Sequence, residues 1–322
     1  MTEYQLDSKM LELYWRFVAE RRAMQLRRDA GAMPPWTTDD TLRWNRFTNV
    51  YRIEDRVSQY LVSNVLYNQE WSAEDLVFRA ILFRIFNLPA TWDFLVAEFG
   101  EPRWATFHHH WEQWADAVAA RRESGIKVFN GAYLIAGVHT YHHLGKEHNW
   151  LYLLNHMMVN GVYGHVLAAP TYRDVYQALL RYEMVGPFLA MQWLTDINYS
   201  PAIAFSENEW VMPGHGAVRG LTKLGLIRQG DSGASGIEWL RERFQSSLAE
   251  RNLRFDPLGG RRWPSLMDIQ NSLCEYDKYA RAVAPWVGNG PAKIKQRFDQ
   301  FDAWTHRPPV DYRYPPKWAM EK

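Results

Sequence analysis

Apolar residues recur three and four positions apart along most of this 322-residue chain, and almost nowhere in strict alternation. That periodicity limits the fold more than any other feature, because a helix buries one stripe and a strand one alternating face. Met10, Leu11, Tyr14, Phe17, Val18 and Met24 predict an amphipathic helix over 8–29, ended by Gly31 and the Pro34-Pro35 pair. Thr38 caps a short helix through Trp44, and Val57, Tyr60, Leu61 and Val65 place another after Asp55. Ser72 with Asp75 opens a helix to Phe86, which Pro89 stops. Further helices are predicted over 103–122, 149–159, from Thr171 to Tyr182, from the 183–187 hairpin to Ile197, from near Gly214, and over 235–251 and 265–279. A last one follows Pro291, and the tail over 305–322 reads as extended. Residues 126–129 (IKVF) suit a short extended piece, but too little else reads as strand to build a sheet. The expected fold is all-α: one helical catalytic domain over 1–322, with room for two lobes.

Composition narrows the functional classes. Lys and Arg total 37 against 36 Asp and Glu, so net charge provides no global attraction to nucleic acid, and any such binding rests on local patches. The single cysteine, Cys274, excludes an internal disulfide and fits a reducing compartment. A zinc site would have to use histidines and carboxylates; His139 and His143 have the spacing but no third ligand, and no metal site is expected. No apolar run reaches membrane-spanning length and the first residues carry no signal-peptide pattern, so a protein of the cytoplasm without membrane attachment is expected. The 16 Trp, 17 Tyr and 15 Phe mostly fill a core, with some left to line a pocket for a planar ligand.

Four segments carry chemistry. In 182–197 (YEMVGPFLAMQWLTDI) a helix ends, turns through Val185-Gly186-Pro187 and restarts; alone it reads slightly better as an ordinary corner than as a phosphate-binding hairpin. In 206–224 (SENEWVMPGHGAVRGLTKL) three glycines, Gly214, Gly216 and Gly220, surround His215 and Arg219, with Glu207 and Glu209 upstream. A glycine-rich helix start offers N–H groups and a positive dipole end to an anion. No P-loop pattern is present. In 46–56 (RFTNVYRIEDR) Arg46, Arg52, Asp55 and Arg56 crowd around Thr48 and Asn49, a candidate bidentate clamp for phosphate oxygens. In 268–281 (DIQNSLCEYDKYAR) Asn271, Glu275 and Lys278 share one helical face and Gln270, Asp277 and Arg281 another. Such a face can bind and deprotonate an amine, and equally can be only a solvated surface.

The hairpin followed by PGHGAVRGL resembles the core of the helix-hairpin-helix DNA glycosylases, spanning 171–226 with helical extensions on either side. Three departures stand out. Met184 takes the place of the usual first hairpin glycine, Phe188 that of the lysine of bifunctional members, and Gly214 or His215 that of the catalytic aspartate. A closer resemblance joins PWTTDDTLRWNRFTNVYRIEDRVSQYL (35–61), the hairpin, SENEWVMPGHGAVRG and DIQNSLCEYDKYAR. Together they look like the phage family described as α-glutamyl/putrescinyl thymine pyrophosphorylases or amino acid:DNA transferases. A related helical module accompanies phage 5-hydroxymethyluracil DNA kinases.

That resemblance implies an enzyme of phage origin, working in the host cytoplasm on double-stranded DNA containing modified thymine. It replaces the pyrophosphate of pyrophosphorylated 5-hydroxymethyluracil with an amino acid or polyamine, and is linked functionally to a DNA kinase. The base is flipped into a pocket, where Trp36 or Trp210 stacks on it. Arg46, Asn49, Arg52, Asp55, Arg56, Gly214, Gly216 and Arg219 then hold the pyrophosphate. Catalytic candidates are Asp196, Glu207, Glu209, His215 and Glu275, with Lys278 meeting an amino acid's carboxylate. Val185, Gly186 and Phe188 contact DNA. No cofactor is implied beyond a divalent metal such as Mg2+ to accompany the pyrophosphate. Two other readings stand beside this one: a glycosylase using Glu207 or Glu209 as a displaced acid, and a non-catalytic DNA-binding module that serves a separate kinase.

Overall fold

A computed structural model describes residues 4–131, 145–228, 230–284, 297–305 and 311–319. Among them the fold is all-helical, with two isolated β-bridges and no strand. The helices in chain order are α1 (Ser8–Asp29), α2 (Asp40–Trp44), α3 (Arg56–Tyr60), α4 (Ala73–Phe86), α5 (Pro89–Phe99), α6 (Trp104–Glu123), α7 (Lys146–Val159) and α8 (Val162–Leu167). They continue with α9 (Tyr172–Leu180), α10 (Pro187–Ile197), α11 (His215–Leu224), α12 (Ala234–Glu242), α13 (Phe244–Glu250), α14 (Leu266–Val283) and α15 (Gln300–Thr305). The chain forms two compact units, the first from Met1–Asp55 and Trp210–Tyr312, the second from Arg56–Glu209 and Arg313–Met320. The expected 171–226 core segment is therefore divided at Glu209.

In the first unit α1 and α14 form the centre. The apolar stripe of α1 is buried as its spacing predicts. Tyr14 and Tyr276 pack edge to face, with centroids 5.3 Å apart. Their hydroxyls are satisfied within the core: Tyr14 by Ser272 Oγ at 2.9 Å, and Tyr276 by donating to the Met10 carbonyl at 2.8 Å. α14 starts with a capping box, in which Ser265 and Asp268 exchange hydrogen bonds with each other's backbone N–H groups. α11 lies against α14 so closely that a Cβ on Gly216 would sit 2.4 Å from Cys274 Sγ, and one on Gly220 2.7 Å from the Leu273 carbonyl oxygen. Those two glycines permit helix contact.

The second unit is built around α4, whose sequence LVFRAILFRIF is apolar nearly all round and is buried from Asp75 to Phe86. Two arginines are carried inside with it. Arg79 is fully buried, stacked over Trp71 at 3.6 Å, and donates to the carbonyls of Val65 and Pro102 and to Glu101. Arg84 makes a bidentate pair with Asp196 at 2.5 and 2.7 Å and donates to Asn87, whose left-handed conformation ends the helix. Residues 311–319 run extended and then form a short 3-10 turn, Pro316–Trp318.

Several boundaries differ from the sequence reading for identifiable reasons. Asp39, not Thr38, caps α2, accepting the Leu42 N–H at 2.9 Å. The helix after Asp55 continues beyond α3 as a π-helix, Leu61–Leu66. Pro89 does not only stop α4; it takes the first position of α5, where its missing N–H is harmless. α8 is too short to give a periodic signal, and the predicted 235–251 helix breaks at Arg243 into α12 and α13. The start predicted after Pro291 lies outside the described residues; within them α15 spans Gln300–Thr305.

Candidate functional site

In the first unit burial alternates over residues 46–49, with Phe47 and Asn49 buried and Arg46 and Thr48 exposed. Arg21, buried on α1, holds this segment by donating to the Phe47 carbonyl at 3.0 Å and to Asn49 Oδ1 at 2.7 Å. Asn49 in turn donates to the Glu54 carbonyl at 2.8 Å, and the Glu54 carboxylate accepts from Arg22 and Gln25. The Arg52 backbone N–H donates to Asp268 Oδ1 at 2.9 Å, tying the segment to the start of α14. The Thr48 backbone N–H points at Glu275 Oε2 at 3.4 Å.

Glu275 is the first chemically able group on α14. Its side chain is 9 % exposed, and Lys278, one turn on, donates to it at 2.5 Å. Burial pushes the Lys278 ammonium toward neutrality, but the Glu275 carboxylate more than offsets this and raises its pKa above the ordinary value. The pair is thus a carboxylate held beside a permanent cation.

The second group is Asp277, fully buried, to which Lys223 donates at 2.6 Å, Arg219 at 3.0 Å and Arg281 at 3.4 Å. Burial works to raise its pKa, yet Lys223 and Arg219 hold it below the usual aspartate range. Three cations around one carboxylate leave an excess of positive charge, and Arg219 is more than half exposed. Between the two groups lies Cys274. Its thiol, pushed up by burial, feels the charges of Lys278, Glu275, Asp277 and Arg219 together. Gly216 rests on that thiol, so α11, capped at Gly214 by no side chain and free of acid in its first turn, begins beside the same place.

The sequence-predicted residues therefore separate. Glu275, Lys278, Arg219, Gly214 and the exposed His215 gather on the α11–α14 surface of the first unit, and Arg46 lies two residues from Thr48. Asp55 and Trp210 are half-buried in the same unit. Others have roles that the sequence did not suggest. Trp36 is 1 % exposed, with its indole N–H on the Ala32 carbonyl, so it has no face to offer a base. Asn49 and Arg52 are buried, and the Asn49 amide is engaged at both ends, by Arg21 of α1 and by the Glu54 carbonyl. Gly216 serves helix contact and not ligand approach.

Arg56, Val185, Gly186, Phe188, Asp196, Glu207 and Glu209 belong to the second unit. Asp196 is fully buried in a bidentate pair with Arg84, a structural setting and not the open one an incoming amine needs. Glu209 accepts the Tyr172 N–H at 2.9 Å at the start of α9, and Glu207 is buried, with its charge acting on the Lys317 ammonium. In the hairpin the left-handed residue is Met184 at φ 66°, whereas Gly186 is extended, the N-cap of α10, with open space where a Cβ would be. Val185 is buried and Phe188 exposed. The sequence reading overlooked Lys223 and Cys274; the Arg219/Lys223 and Asp277/Arg281 spacings of four were the available signal.

No group of three or more His, Cys, Asp or Glu among the described residues is placed to hold a metal ion; His139 and His143 lie outside them. No described helix is long and apolar enough to cross a membrane. The α11–α14 surface itself suits an anion, since its one fully buried carboxylate is already held by three cations and offers Mg2+ little.

The described residues fold as helices without strands, and one surface carries a carboxylate–ammonium pair beside a cluster of cations. The chain belongs to the family "5-hmdU DNA kinase, helical domain", whose model matches residues 8–289. It is 37% identical over 128 residues to a 5-hmdU DNA kinase of Bacillus phage SP10, an alignment covering 38% of this chain and 20% of that protein. The match thus spans a fifth of that relative's length. No solved structure matches.

Proposed function

We propose that this protein modifies thymine-derived bases in DNA, displacing the pyrophosphate of pyrophosphorylated 5-hydroxymethyluracil with the amine of an amino acid or polyamine. The observation that carries this reading is the convergence on Cys274: an acid–base pair on one side and a cation excess with a helix start on the other. The reaction needs both. The bond between the base's exocyclic methylene carbon and the ester oxygen breaks, and pyrophosphate leaves with the electron pair. A carbon–nitrogen bond forms at that carbon, and the ammonium proton passes to a carboxylate. Arg219, Lys223 and Arg281, with the start of α11, supply fixed positive charge for the departing anion. In this reading Glu275 binds and deprotonates the amine, and Lys278, hydrogen-bonded to it, meets an amino acid's carboxylate. The family's kinase name and the phage relative support a setting in 5-hydroxymethyluracil DNA modification, on modified DNA supplied by a kinase.

The test incubates the protein with DNA bearing pyrophosphorylated 5-hydroxymethyluracil and a panel of amines, reading pyrophosphate and nucleoside mass together. Glu275→Gln keeps the Thr48 contact but removes the base, and turnover is expected to fall by about 10²–10⁴-fold with the fold intact. No new nucleoside with any amine would sink the transferase reading. A second reading has its own support: the one relative above is named as a kinase and is far longer than the match, so this domain would present modified DNA to a kinase. It predicts modified-DNA binding without turnover.

A further inference from the structure

Trp44 ends α2 with 48 % of its surface exposed, although large aromatics are mostly covered. The Arg43 guanidinium lies over its ring, 4.8 Å from the centroid. The backbone here is fixed: Asn45 forms an antiparallel bridge with Arg297, and the Phe298 N–H donates to the Trp44 carbonyl at 3.0 Å. Across this bridge the Arg46 guanidinium lies over the Phe298 ring at 5.8 Å. Two arginine–aromatic stacks thus stand side by side on a pair of bridged segments, 43–46 and 297–298, that contain three arginines and no carboxylate. Arg46 and Arg297 are exposed.

Cations interleaved with an open aromatic face suit one class of partner. Phosphates attract the guanidinium groups, and a base that has left its stack finds a new one on the ring. A regular duplex offers no such base, so the surface favours DNA that is locally opened. We propose that this surface receives the DNA strand, with Trp44 stacking on an unpaired or extruded base and Arg43, Arg46 and Arg297 meeting the flanking phosphates. The inference rests on the reading that this protein acts on DNA, and it gives the stacking role to a residue that Trp36 cannot replace. Its position fits. Arg46 and Thr48 are both exposed and two residues apart, and the Thr48 backbone N–H points at Glu275. A strand held at Trp44 is delivered toward the acid–base pair.

Binding is read by fluorescence anisotropy with two unmodified duplexes, one fully paired and one with a single unpaired thymine. The wild type is expected to prefer the duplex with the unpaired base. Trp44→Ala should weaken that complex by roughly tenfold or more, erasing the preference, while Trp44→Phe keeps most of it. Arg43→Gln with Arg46→Gln should weaken both complexes and lower the salt slope by about 1 per arginine. Thermal melting of each variant separates lost contact from lost folding. Wild-type preference persisting in Trp44→Ala, or equal losses in Trp44→Ala and Trp44→Phe, would overturn the surface while leaving the DNA-modifying reading in place. A wild type that binds neither duplex at low salt would overturn both.

Discussion

Asp196 and Glu275 are both buried carboxylates within reach of a basic side chain, and their surroundings assign them opposite uses. Asp196 takes two hydrogen bonds from one arginine inside the second unit, 112 positions away in sequence. Each charge there depends on the other, and removing one strands its partner in the core. Asp196→Asn should therefore destabilise the protein by about 3–5 kcal/mol, seen as a lower urea midpoint. A loss of turnover without a change in stability would instead return Asp196 to the catalytic group. Glu275 is paired instead with Lys278, one turn further along α14, which is 41 % exposed, so the pair is reached from solvent through the ammonium. Nothing in the sequence separated these two acids, because both sit at helical positions next to apolar residues. Only the partner across the core distinguishes them.

At the scale of elements, periodicity located most of the helices, and side-chain chemistry the capping residues Ser72 and Thr171. It failed where an element is shorter than two turns, as in α8, and where proline has two meanings, as at Pro89. The glycine-rich segment is the instructive case. Gly214 and Gly216 both read as anion-binding residues, yet Gly216, like Gly220, lets α11 touch α14 and only Gly214 remains at the helix start. The contact gives a graded prediction. Gly216→Ala forces a methyl against Cys274 Sγ and should destabilise by about 1–3 kcal/mol. Adding Cys274→Ala removes the 2.4 Å clash and should restore part of that loss. Gly220→Ala meets the Leu273 carbonyl oxygen, which no side-chain truncation can move, so the same second substitution should not help it. Equal behaviour of the two double variants in thermal melts would mean that α11 is not packed as described.

The whole molecule was the least legible level, because each unit is assembled from stretches far apart in the chain. Helical fold class and the polar face of α14 follow from local spacing, whereas the union of Met1–Asp55 with Trp210–Tyr312 follows from burial between α1 and α14, which no local pattern encodes. The same holds for the tail, read from sequence only as extended. In the second unit Arg313 exchanges hydrogen bonds with Gln59, Trp318 packs edge-on against Tyr199, and the Lys317 ammonium donates to the carbonyls of Ser200 and Ile203. Burial of that ammonium pushes its pKa down to about 8, with Glu207 opposing the shift. Between about 8 and the ordinary value of 10.5 the folded form has released a proton that the unfolded chain still holds. Stability from this group therefore rises with pH across that window and is level below it. Lys317→Met carries no such titration. The stability difference between wild type and Lys317→Met should be constant from pH 6 to about 7, then move in favour of the wild type as pH climbs toward 10.5. Urea midpoints taken along that series read the effect directly, and a flat difference across the window would mean that the tail's ammonium is not held in the second unit.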